Sequence, residues 1–154
     1  MNAVHSKNVK FVAIGYVVYA LMYLAMATIL LSAADFEIFQ NVDIIGGTLS
    51  LLAGGCALNL LLAVGSWRVL TLSTWKRRLL LGSAFGVPVV LIVNSAHGLW
   101  RWYQGTLPTD IGPTAVTGGT MVTLGYVFLA YSLQRIVATS NTSLNPDAQK
   151  QRAG

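Results

Sequence analysis

Residues 11–32 read FVAIGYVVYALMYLAMATILLS, with no charge anywhere in the run. A helix rises about 1.5 Å per residue, so about 20 apolar residues cross a hydrocarbon core of about 30 Å. Lipid gives backbone amides no hydrogen-bond partner, so a segment placed there has to be helical. Working outward, three more stretches have the same character, over residues 44–70, 79–100 and 115–137. The expectation is an all-α integral membrane protein with four transmembrane helices in a bundle. Residues 1–138 would form this one domain. Residues 139–154 (TSNTSLNPDAQKQRAG) would form a polar, flexible tail.

Composition agrees. Of the 154 residues, 55% are hydrophobic and 10% charged. A soluble domain carries about 25% charged residues, so these charges are too few to cover a water-soluble globule of this size. The formal net charge of +5 is informative mainly through its placement. Lys7 and Lys10 precede the first span, and Arg68, Lys76, Arg77 and Arg78 lie between the second and third. Arg135, Lys150 and Arg152 come at or after the end of the fourth. The other two connections hold Asp35, Glu37 and Asp43, and the balanced pair Arg101 and Asp110. Basic segments thus alternate with acidic or balanced ones. The positive-inside rule then places both termini and the central WKRR segment in the cytoplasm. A bacterial inner membrane and an organelle inner membrane fit these charges equally well. No basic stripe with interleaved aromatics accompanies the charge, so nucleic acid is not an expected partner.

The second span, IIGGTLSLLAGGCALNLLLAVGSW, is dense in small residues. Gly46, Ser50 and Gly54 recur every four residues, and Gly47, Gly55 and Asn59 lie on an adjacent stripe. Such spacing lets helix backbones approach closely, and Asn59 near mid-span is expected to hydrogen-bond across helices. The partner helix belongs either to this chain or to another. Cys56, the only cysteine, excludes an intrachain disulfide and reads as a packed thiol.

The other spans carry their own signals. In the first, Tyr16, Tyr19 and Tyr23 share a face, most simply for packing. Pro88 predicts a kink near residues 83–87 of the third, where Gly82 and Gly86 offer another close-approach face. Thr117, Thr120 and Thr123 line one face of the fourth, with hydroxyls able to bond back to the backbone. Pro108 and Pro113 are expected to keep the preceding loop irregular, and Phe36, Ile38 and Phe39 suit a membrane surface or a partner. Trp67, Trp75, Trp100, Trp102 and Tyr103 fall at span ends as an aromatic belt.

One polar constellation stands out. In NSAHGLWRW, Asn94, His97 and Arg101 follow one another at i, i+3 and i+7 on one helix face. Structurally, Arg101 snorkels to the interface and His97 bonds a neighbouring helix. Functionally, the face suits an anionic headgroup, a quinone carbonyl or an acidic partner. A neutral imidazole also binds haem, although two-histidine ligation would need a second membrane histidine, and His5 precedes the first span.

Catalytic chemistry finds little footing. No Asp or Glu lies inside a span, so a carboxylate proton relay is missing. There is no cysteine pair for disulfide exchange, no Ser–His–Asp set at usable depth and no metal-ligand spacing. The leading expectation is a non-catalytic accessory or structural subunit of a larger membrane complex, packing through small-residue helix faces. Its partners would be the lipid bilayer and other transmembrane subunits, or further copies of itself. One alternative is a homo-oligomeric small channel or transporter lined by Asn59, Asn94, His97 and the threonine face. The other is a quinone- or haem-associated redox subunit using His97.

Overall fold

The computed structural model describes residues 3–33, 42–105 and 111–143, and among these residues there is no strand. Four helices account for nearly all of them: α1 (Ala3–Ala33), α2 (Val42–Trp67), α3 (Thr74–Tyr103) and α4 (Ile111–Ser143). Each holds a segment long and apolar enough to cross a membrane: Ser6–Ile29, Leu49–Trp67, Thr74–Tyr103 and Thr117–Ser140. Only 17% to 33% of each apolar window is buried. Leucines, valines and isoleucines along all four helices therefore remain exposed, among them Ile29, Leu51, Val90 and Leu124.

The chain divides into two compact units, Met1–Val69 and Leu70–Gly154. In the first, α1 packs on α2. The buried positions of α1 are Val9, Val12, Ala13, Tyr16 and Ala20, at the three- and four-residue spacing of one helical face. Those of α2 are Asn59, Leu62, Ala63 and Ser66. At Gly55 an added Cβ would stand 2.6 Å from Cε1 of Tyr23. Any side chain there requires the ring to shift. At least one member of the tyrosine stripe is therefore packed against the neighbouring helix. Asn59 is buried, and its Nδ2 donates to the Gly55 carbonyl at 2.8 Å. That bond lies within α2. The short amide reaches back one turn to a carbonyl that glycine leaves accessible.

In the second unit, α3 packs on α4. Leu80, Ala84 and Pro88 form the buried edge of α3. Thr123, Tyr126, Leu129, Ala130, Leu133, Ile136, Val137 and Ser140 form that of α4. The Thr123 hydroxyl donates to the Gly119 carbonyl at 2.7 Å, the back-bond expected of the threonine face. Pro88 sits inside α3, which continues as helix on both sides of it.

Three boundaries differ from the sequence reading. The WKRR segment is the first turn of α3, not a loop. Cations there oppose the helix dipole. Arg77 offsets this by turning back to donate to the Leu70 carbonyl at 2.8 Å and to Ser140 Oγ at 3.4 Å. Pro113 lies in the first turn of α4, which starts at Ile111. A proline is tolerated there because the first amides of a helix have no intrahelical partner. Finally, α4 runs to Ser143, into the stretch assigned to the tail. The segment with Phe36, Ile38 and Phe39, the loop around Pro108 and the tail beyond Ser143 lie outside the described residues.

Candidate functional site on the third helix

Near its C-terminal end α3 presents Asn94, His97 and Arg101, all exposed. The helical repeat aligns them with Val90, four residues before Asn94. A shallow groove of about 380 Å³ runs along this surface, lined by Val89, Val90, Val93, Asn94 and His97. It is apolar at one end and polar at the other. Arg101 lies one helical turn beyond His97, in the last turn of α3, where a cation complements the helix dipole.

Exposed aromatics surround that end: Trp100, Trp102 and Tyr103. The Trp100 and Tyr103 rings lie 6.2 Å apart between centroids. The helix closes at Gln104, whose amide donates to the Trp100 carbonyl, and at Gly105, whose φ of 71° favours glycine.

The small-residue stripes of α2 separate into two roles. Gly55 and Asn59 face the α1–α2 contact. Ser50 and Gly54 are exposed, and a Cβ added at Gly54 would meet nothing within 4 Å. Gly46 and Gly47 belong to α2, but their surroundings lie outside the described residues. On α3, Gly82 and Gly86 are likewise exposed, each with open space where a Cβ would stand. In unit 2, a Cβ added at Gly119 would stand 3.0 Å from Ser95 Oγ.

The groove valines were missed by the sequence reading. Their signal was present: Val89, Val90 and Val93 lie within two turns of Asn94 and His97, on the flank away from Ala84 and Pro88. The Arg77 clasp was also missed, because Ser140 is far away in sequence and no local pattern joins the two.

Asn94, His97 and Arg101 can each donate hydrogen bonds, and Arg101 carries a permanent charge. No carboxylate occurs within any of the four candidate spans. Among the described residues, no three of His, Cys, Asp or Glu come together as a metal-ligand set. No protein-family model, curated protein or solved structure matches the chain.

Proposed function

We propose that this chain is a multi-pass integral membrane protein with both termini on the cytoplasmic side, and that it acts as a non-catalytic subunit of a larger membrane complex. The membrane placement is supported by the four apolar helices and by the extent of their exposed apolar surface. In water, a monomer rarely exposes contiguous apolar patches of more than a few hundred Å².

The subunit role is carried by one observation: Gly54, Gly82 and Gly86 leave flat, open helix surface. A glycine inside a helix costs about 0.5–1 kcal/mol relative to alanine. Gly55 offsets that cost through contact with the Tyr23 ring, which a Cβ would displace. Nothing within 4 Å does the same for Gly54, Gly82 or Gly86. Close approach of another helix would do so, since membrane helices associate through small residues and dispersion contacts. Gly82 and Gly86 fall four apart, the spacing that such crossings use.

Affinity purification of the full chain from native membranes in mild detergent tests this. Other membrane chains are expected in fixed ratio, and Gly86→Leu or Gly54→Leu should release them while helix content stays unchanged. A monomer performing turnover by itself would refute the reading. An assembly built of this chain alone would favour the homo-oligomeric alternative.

A further inference from the structure

We propose that two copies of this chain meet through the α3 groove, with their Asn94 amides hydrogen-bonded to each other across a twofold axis along the membrane normal. The inference rests on the membrane placement proposed above, not on the presence of any other subunit.

The groove has the shape of a helix-packing site. Val90, Val93, Asn94 and His97 are spaced i, i+3, i+4 and i+7, the four corners of one hole on a helix surface. Together with Val89 they line the groove, and all five are exposed. Val89, Val93 and His97 form one i+4 ridge, and Val90 and Asn94 form the next. A helix with this surface carries both a ridge and the hollow that receives it, so a second copy is complementary in shape. Ridges of this kind interdigitate at a crossing of about −50°, and helices crossing so steeply soon diverge. A contact centred on Val93 therefore leaves Gly86 and Gly82, about two and three turns away, to another chain.

Depth and hydrogen bonding select the occupant. With the Trp100, Trp102 and Tyr103 belt at the interface, Asn94 lies about 9–13 Å deeper along the helix. At that depth the surroundings are hydrocarbon, which offers an amide no partner. Among the described residues, neither Asn94 nor His97 has a hydrogen-bond partner. A bare amide there is costly. Two copies inserted with the same topology bring the same residues to the same depth, and a twofold axis sets Asn94 opposite the partner's Asn94. An amide carries both donors and an acceptor, so each can donate to the other. The neutral imidazole of His97, nearly one turn closer to the surface, also offers one donor and one acceptor. No Lys, Arg, Asp or Glu lines the groove, so the contact sets no fixed like charges against each other. An unlike partner would need its own polar residue at this depth, whereas a second copy brings one.

Disulfide trapping of the full chain in native membranes tests the contact. In a Cys56→Ala background, Val93→Cys should form a self-dimer on mild oxidation, and Leu124→Cys, exposed on α4, should not. Energy transfer between full chains labelled at their N-termini, measured in phosphatidylcholine vesicles at increasing lipid dilution, gives the dissociation constant of the pair. Asn94→Leu should raise that constant about tenfold, as loss of an interhelical polar contact does. Asn94→Gln, which keeps the amide, should restore much of the association. Val90→Trp, which fills the hole, should also weaken it. Helix content by circular dichroism should match the parent in each variant. Equal trapping at Val93→Cys and Leu124→Cys would overturn the proposal. So would association unchanged by Asn94→Leu, or trapping of a different polypeptide at Val93→Cys in place of a second copy. A chain that stays monodisperse in water without detergent would instead remove the membrane placement itself, a separate failure.

Discussion

At the scale of single residues, adjacent glycines divide the labour on α2. Gly55 lies under the Tyr23 ring, and Gly54 opens onto empty space. Gly55→Ala forces the ring aside and should destabilise the α1–α2 hairpin by about 1–3 kcal/mol, the usual range for overpacking. Gly54→Ala meets no obstruction and removes a flexible backbone position, so it should be neutral or slightly stabilising in the isolated chain. Thermal unfolding of the two variants in the same detergent compares them directly. Tyr23→Ala introduced beside Gly55→Ala should recover part of the loss, because the two changes share one contact. Equal effects of the two alanines would contradict the packing described. The sequence alone could not separate these neighbours. Glycine spacing shows that helices can approach, but which stripe meets Tyr23 depends on the rotation of α2 against α1.

At the scale of the element, α3 has its polar groups on an exposed face and α2 keeps one inside. Asn59 is buried with its amide bonded to Gly55, whereas Asn94 and His97 are exposed among valines. Replacement by leucine should therefore act in opposite ways. Asn59→Leu removes a buried hydrogen bond and should cost about 1–3 kcal/mol. Asn94→Leu with His97→Leu removes no bond described within the chain and should leave unfolding of the detergent-solubilised protein within about 0.5 kcal/mol of the parent. Denaturant titration followed by circular dichroism distinguishes them. The i, i+3, i+7 alignment of Asn94, His97 and Arg101 was legible from spacing because it is local to one helix. The start of α3 was not. Its basic first turn resembles a loop until Arg77 is seen to clasp Leu70 and Ser140, a contact made only when α3 and α4 come together.

At the scale of the whole molecule, the four apolar helices were legible because apolar length and the absence of charge are properties of each segment by itself. Their ends were harder to read: Pro113 resembles a loop residue in sequence and is tolerated in the first turn of α4. The proposed orientation yields a mapping experiment. In a Cys56→Ala background, cysteines at Asn8 and Ser73 should react with an impermeant thiol reagent only from the cytoplasmic side. A cysteine at Gln104 should react only from the other side. Labelling of Gln104→Cys and Asn8→Cys from the same side would reverse the assigned topology.

The central claim of the proposed function is that the open glycine faces are filled by other chains. The intact mass of the assembly released from native membranes in mild detergent measures this directly. A species heavier than the 16.5 kDa chain is expected, containing other membrane polypeptides in fixed ratio and collapsing in Gly86→Leu. A native species with the mass of one chain and bound lipid alone would contradict it.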